Sequence, residues 1–523
     1  MPRPRTSTTG SRPTQRKRAG PGRSERTARS TSWPAAVAWA WVAVLAVALL
    51  AQLSRQALRA VLNTDECFHA YLAGWIAAHG RLPDRIPGLY AGLVYSYPPL
   101  LHLMGAVWVL GLGIATLPML NVVLFAVLLV TLAMLPVPGL DATPRRWASW
   151  LVISNVALAI YAVRFYAEML TCLLGLLVAL LLLRAAATRR VRDGVLLGLA
   201  GGFALLAKNT ALVVPGLLVA WIAIEAAARR RDGVRAGLVA LLVALALAAP
   251  MFVRNQALFG SPIYPALAKD VDPWLYQLNR ERFGGNLPFF LTGVWETLGP
   301  WVLALAAVAL VVAVARRRRD AHLGLLLAST AGIAIAPFSP LHEARHIMPL
   351  IAVLALSGSV ILHDALRSRA VLAAALECGL AALALLSVRW LGDRRSPLDV
   401  NPSLMEAYGV VRQVVPAGDT VLSLWTYDTF YHTHRPANWP IPWGQGTRSP
   451  APLFREQDPT RFLAEMDRLG IRWVLMPRSP GPARFNGSNY PRSFVDCVVA
   501  LVNRGALRPV WVSASFGLVE RVR

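Results

Sequence analysis

From residue 33 to residue 388 the chain alternates long apolar runs with short, tight clusters of arginine. Runs that approach the ~20 residues needed to cross a bilayer as a helix lie at 33–53, 115–136, 147–164, 169–185, 193–207, 210–228, 236–253, 298–315, 321–338, 347–363 and 370–388. A soluble domain carries roughly 25% charged residues, whereas this chain of 523 residues carries 15% and is 56% hydrophobic. The pattern predicts an all-α polytopic membrane bundle with about eleven transmembrane helices.

The net charge of +25 raises nucleic acid as a partner. Its placement argues against that, because the excess sits between apolar runs and no nucleic-acid-binding signature accompanies it. It reads instead as a topology signal. Tracing eleven crossings from a cytoplasmic N-terminus puts every tight cluster inside: Arg145-Arg146, Arg184 to Arg192, Arg229-Arg230-Arg231 with Arg235, Arg316 to Arg319, and Arg367 with Arg369. A further run, Pro98–Gly113, opens with Pro98-Pro99. If it crossed, all those clusters would lie outside, so it is assigned to an interfacial helix in the first exterior loop.

Three domains follow. Residues 1–31 hold nine Lys/Arg against Glu25, amid Ser, Thr, Gly and Pro; such a segment builds no core and is expected to be a disordered cytoplasmic tail. Residues 32–390 form the bundle. Residues 391–523 lose the apolar runs and read as a small exterior α/β domain, with helices at 402–415 and 459–469 and strands at 421–425, 472–476, 508–512 and 516–522. Cys67 and Cys497 both fall outside the membrane and could pair; no Cys/His spacing points to zinc.

An ionisable residue at a membrane boundary is costly unless paired or wet, which makes it a functional candidate. The tracing gathers several at the exterior face. Asp65 and Glu66 open a helix carrying His69, and Tyr97 precedes Pro98-Pro99. Arg164 and Glu168 flank a turn at i, i+4, a spacing that also suits a plain ion pair. Lys208 ends one span and Arg254 another, and His342-Glu343-Ala344-Arg345-His346 occupies the turn before the tenth. That last stretch fits HExxH letter for letter, which keeps a zinc protease open, but prolines flank it on both sides. Acids (Asp65, Glu66, Glu168) and bases (Lys208, Arg254, Arg345) at one face suit transfer from a membrane-borne phosphate. The bases neutralise the leaving group and a carboxylate takes the acceptor's proton. A transporter or lipid flippase is the alternative; it would spread charge through the bundle and repeat in two halves.

Six stretches carry a resemblance to a family. They are Thr64-Asp65-Glu66, Tyr95–Leu101, Phe165–Glu168, Gly198–Thr210, Arg254-Asn255 with Gly260–Pro265, and Arg345–Pro349. In this order they resemble the GT-C superfamily of membrane glycosyltransferases, nearest the bacterial protein O-mannosyltransferase and aminoarabinose transferase group. The resemblance implies a polyprenyl-phosphate sugar donor and a glycan, lipid or protein acceptor. It implies catalytic carboxylates at Asp65, with Glu66 and Glu168, and donor-phosphate binding by Lys208, Arg254 and Arg345. His69, Tyr97, His342, Glu343 and His346 would line the substrate pocket. In some branches it implies a divalent metal near the acids, for which Asp65 and Glu168 are the candidates. Ser96 and Tyr97 stand where the aminoarabinose branch has an acid and a base, which argues against that activity. The expected location is the inner (plasma) membrane, with the site and the C-terminal domain exterior.

Overall fold

The computed structural model describes residues 32–63, 65–86, 95, 97–264, 287–335, 344–392, 401–423, 425–438, 451–454, 456–478 and 492–522. The bundle runs α1 (Ser32–Ala57), α2 (Asp65–His79), α3 (Leu100–Leu112), α4 (Pro118–Met134), α5 (Ala142–Ile153), α6 (Val156–Ala162), α7 (Ala167–Thr188), α8 (Val191–Ala207), α9 (Val213–Ala227) and α10 (Arg231–Phe259). It continues with α11 (Leu287–Leu298), α12 (Pro300–Ala315), α13 (Ala321–Ile335), α14 (Leu350–Leu366) and α15 (Ala370–Gly392). Apolar side chains such as Trp41, Val47, Leu242, Val311 and Leu386 stand more than half exposed on its flanks. Such a surface is tolerated where lipid, not water, is the solvent.

Among the described residues, α1, α7, α10, α15 and α9 with its preceding 3-10 turn are each long and apolar enough to cross a membrane. The bent pair α11–α12 would make six. Eleven crossings were expected; α4, α8, α13 and α14 are unbroken but have 17 residues or fewer, and one further run is broken. The apolar run 147–164 is two helices, because Asn155 caps α6 through Leu158 N (2.9 Å) and donates to Leu298 O (2.9 Å) and Thr297 O (3.3 Å). A polar residue thus interrupts the ladder and re-satisfies the freed groups. At Gly299, with φ +75, the chain turns by 97° between α11 and α12. Only a residue lacking Cβ adopts that φ without strain.

The arginine clusters converge on one end of the bundle. Arg146 pairs with Glu377 (2.7 Å), Arg184 with Asp193 (2.8 Å), Arg189 with Glu225 (2.9 Å) and Arg318 with Asp364 (2.8 Å), while Arg316 donates to Ala365 O (2.9 Å). Each joins different helices or their ends, so the basic residues tie the bundle together.

Small residues set how α8 meets α10. A Cβ placed on Gly194 would lie 2.4 Å from Ala236 O, and one on Gly198 would lie 2.6 Å from Ala240 O. The backbones therefore touch, as small residues permit between helices in lipid. Gly198→Leu is expected to lower stability by about 2–3 kcal/mol, read as a fall in melting temperature in detergent. Gly216→Ala, at a glycine with open space around it, should leave the melt unchanged or slightly raised.

The C-terminal domain has its own core, from Leu404 to Val519. Helices α16 (Pro402–Val414), α17 (Thr426–Thr433), α18 (Pro459–Leu469) and α19 (Arg492–Asn503) accompany β1 (Thr420–Leu422), β2 (Ala437–Asn438), β3 (Ile471–Pro477), β4 (Leu507–Val512) and β5 (Phe516–Arg521). The sheet order is β2-β1-β3-β5-β4, parallel across β2-β1-β3 and antiparallel across β3-β5-β4. The expected strand 421–425 ends at Leu422, and α17 follows. That helix docks on α2: Tyr427 packs at a tilt against Phe68 (4.9 Å between ring centres) and Phe430 edge-on against Tyr71 (4.8 Å). Cys67 and Cys497 are both free, Cys67 facing α17 and Cys497 sitting in the domain core, so the pairing left open by the sequence does not occur.

Candidate active site

Asp65 and Glu66 are consecutive at the start of α2, and consecutive helical residues point about 100° apart. Asp65 faces the open side. Glu66 faces inward, fully buried, and forms an ion pair with the equally buried Arg164. Phe165 N (2.7 Å) and Asn63 N (3.1 Å) also donate to the Glu66 carboxylate, and Arg164 donates to Val61 O (2.9 Å). Burial pushes the Glu66 carboxyl up to about 7 against the pull of Arg164. Glu66 thus ties the start of α2 to residues 164 and 165. The plain Arg164–Glu168 ion pair that the i, i+4 spacing left open does not form, because residues 163–166 are not helical and α7 begins only at Ala167. Asn121, which no sequence signal singled out, fastens the same strap by donating to Tyr166 O (2.8 Å).

That strap delivers Glu168 to the first turn of α7, where its carboxylate is 2% exposed. Lys208, in extended conformation just after α8, reaches it at 2.6 Å. Arg345, in the 3-10 turn Ala344–Ile347, places Nη2 2.6 Å from Asp65 Oδ2 and Nε 3.4 Å from Glu168 Oε1, with its guanidinium over the Tyr166 ring at 5.2 Å. Four residues far apart in sequence, Asp65, Glu168, Lys208 and Arg345, form one connected cluster at one end of the bundle. Asp65, Lys208 and Arg345 keep side-chain exposures of 27%, 18% and 19%, so the cluster is open to a ligand.

A chain of polar rings lies behind it. His69 Nδ1 is 2.7 Å from His102 Nε2, and His102 Nδ1 is 2.7 Å from the Tyr95 hydroxyl. Burial holds His69 down to about 4, although Asp65 and Glu168 pull the other way; the imidazole is therefore neutral at neutral pH. Tyr97 packs edge-on against His69 (5.4 Å) and against Phe68 (5.2 Å). Arg254 is not part of the charged cluster. It donates to Tyr95 O (2.6 Å) and covers the Tyr95 ring, fastening the approach to α3. His346 is half-buried in the same turn as Arg345. His342 and Glu343 lie outside the described residues.

Asp65 and Glu168 do not fit the divalent metal that the resemblance implied for them. Arg345 bridges the two carboxylates and Lys208 takes the second, so cationic side chains hold the place a metal would need.

The architecture and the cluster define a class: a membrane helical bundle with acids and bases at one end and a small α/β domain packed beside them. No protein-family profile matches the chain, and no curated protein matches it by sequence. Solved structures do match. The archaeal oligosaccharyltransferase AglB from Archaeoglobus fulgidus, in complex with an inhibitory peptide and a dolichol-phosphate, superposes with a TM-score of 0.64 at 14% identity, over 85% of this chain and 70% of that one. ArnT from Cupriavidus metallidurans bound to undecaprenyl phosphate gives 0.60 at 15% identity, over 94% and 98%, and its apo state gives 0.58 at 16%, over 93% and 98%. The chain thus shares the fold of AglB and of ArnT.

Proposed function

We propose that this chain is a membrane glycosyltransferase that moves a sugar from a polyprenyl-phosphate donor to an acceptor hydroxyl at the non-cytoplasmic face, with Asp65 as the catalytic carboxylate. The observation that carries the reading is the Asp65–Arg345–Glu168–Lys208 cluster, a carboxylate and two cations partly open at one end of an apolar bundle. The two ArnT and AglB complexes supply lipid phosphates as the ligand class for this fold.

The chemistry follows from exchange of partners. The donor's phosphate takes its place beside Lys208 and Arg345, drawing Arg345 off Asp65. Asp65, no longer neutralised, accepts the proton of the acceptor hydroxyl as its oxygen attacks the anomeric carbon. The bond from that carbon to the phosphate oxygen breaks, and the electron pair leaves with the polyprenyl phosphate. Lys208 and Arg345 stabilise the charge that develops there. Glu168 holds both cations in place. Glu66 and Arg254 act as positioning residues, one setting the strap before α7 and the other the Tyr95 segment. His69, neutral, and Tyr97 line the pocket.

In the membrane, α5 with α6 makes one crossing and α12 another, with α11 and α3 lying along the interface. That arrangement gives eleven crossings. The end carrying the arginine clusters then faces the cytoplasm, with residues 1–31. The cluster and the C-terminal domain face outward from the plasma membrane, and that domain contributes to acceptor choice.

The test is incorporation of labelled sugar from a polyprenyl-phosphate donor by membranes containing the protein, with mass spectrometry of envelope glycans after its deletion. Loss of one sugar is expected. Unchanged lipid, polymer and protein glycans, or movement of substrate without a new glycosidic bond, would sink the reading. Lys208→Met should lower kcat/KM about 100-fold, with KM for the donor rising. A variant as fast as wild type would remove Lys208 from phosphate binding.

A further inference from the structure

We propose that Cys67, Asp428 and His432 form a zinc site that fastens α17 of the C-terminal domain to α2. Cys67 Sγ lies 3.8 Å from Asp428 Oδ1 and 3.7 Å from His432 Nε2, and the three ligand atoms all lie within 4.8 Å of one another. A tetrahedral zinc, with bonds of about 2.3 Å to sulfur and about 2.0–2.1 Å to nitrogen or oxygen, separates its ligand atoms by about 3.5 Å. The two distances to sulfur, 3.8 and 3.7 Å, lie within a few tenths of an ångström of that figure.

Asp428 and His432 stand at i, i+4 on α17, which puts both on one helix face. Cys67 meets them from the facing helix. Cys67 is 0% and Asp428 1% exposed, so a thiol and a carboxylate share a dry contact with Glu66 as the next residue along α2. The imidazole is fixed by Tyr408, stacked at 5.5 Å and 16°, and by Tyr431, edge-on at 5.2 Å. Sulfur with nitrogen and one carboxylate selects zinc over calcium or magnesium.

Without metal, His432 Nε2–H donates to Leu62 O, 2.9 Å away. With zinc, Nε2 presents its lone pair to the metal and the ring proton moves to Nδ1. The Cys67 thiol releases its proton to solvent, and a zinc-bound water fills the fourth position and donates to Leu62 O. The site lies two residues from Asp65 on the same helix, so the metal would hold the C-terminal domain in register with the charged cluster. It takes no part in the proposed transfer step, and metal content is read without any activity assay. The two readings can therefore fail separately.

The test uses the full-length protein in detergent, incubated with zinc and freed of excess metal. Elemental mass spectrometry should find about one zinc per chain. Cys67→Ala and His432→Ala should each lose it, while Cys497→Ser and His434→Asn keep it. Cobalt added to the metal-stripped wild type should produce a thiolate-to-metal charge-transfer band, and zinc should raise its melting temperature. A wild type that holds no stoichiometric zinc and gives no cobalt–thiolate band overturns the site, leaving a thiol that only donates to Asp428. Zinc retained in a folded Cys67→Ala does the same. Should Cys67→Ala fail to fold, the wild-type cobalt spectrum alone decides.

Discussion

Asp65→Asn is expected to reduce sugar transfer about 1,000-fold while leaving the fold and donor binding in place. A positioned general base contributes roughly 100- to 10,000-fold, and asparagine keeps the shape and one acceptor oxygen for Arg345. Asp65 is partly exposed and its side chain pairs with the partly exposed Arg345, so its neutralisation leaves no buried charge stranded. The loss should fall on kcat, with the donor's KM little changed or lower, because Arg345 is then freer for the phosphate. Labelled-sugar incorporation at saturating donor, beside a thermal melt, separates this from misfolding. A well-folded variant with more than a tenth of wild-type turnover would show that another group takes the acceptor's proton.

Much of this site could be read from the sequence because the membrane reduces the problem to which end a residue occupies. Once the runs are placed and the arginine clusters sent to one side, Asp65, Glu168, Lys208 and Arg345 fall at the other whatever the helix packing. Whether they touch is a separate matter, and Arg345 shows it: its partners lie 280 and 177 residues away in sequence. Local spacing was a poor guide. Arg164 and Glu168 stand at i, i+4, yet the intervening residues are not helical, so Arg164 turns to Glu66. Asp65 and Glu66 are neighbouring acids, but the 100° step between consecutive helical residues sends one to the cluster and the other into the core.

The C-terminal domain was legible in outline and obscure in one place that matters. Thr426–Thr433 is rich in threonine and aromatic residues, a composition that favours strand. It is a helix because Tyr427 and Phe430 gain burial against Phe68 and Tyr71 of the membrane domain. No periodicity within the segment announces a partner 359 residues earlier, so the contact between α17 and α2 could be found only in three dimensions. The break at Asn155 is of the same kind. A lone asparagine in an apolar run is compatible with an unbroken span, until its bonds to Thr297 O and Leu298 O are seen.

Glu66→Gln is expected to cost about 3–5 kcal/mol of stability, the loss associated with removing one partner of a buried pair. Arg164, 0% exposed, would keep a full charge that it cannot shed, with only a neutral amide in front of it. Arg164→Met should cost less near neutral pH, because Glu66, already pushed up to about 7 by burial, would take a proton once the guanidinium is gone. The asymmetry has a sign that can be checked: without the guanidinium that pulls it down, the Glu66 carboxyl rises higher still, so raising the pH from the ordinary carboxylate range through neutrality should destabilise Arg164→Met, as the lone carboxylate is forced to ionise, while the stability of Glu66→Gln, which has no group titrating at that position, should show no such loss. Thermal melts of both variants in detergent across that range measure it. Equal losses at every pH would mean that the strap before α7 depends on the shape of the two side chains and not on their charge, and Glu168 would then owe its position to Asn121 and the backbone alone.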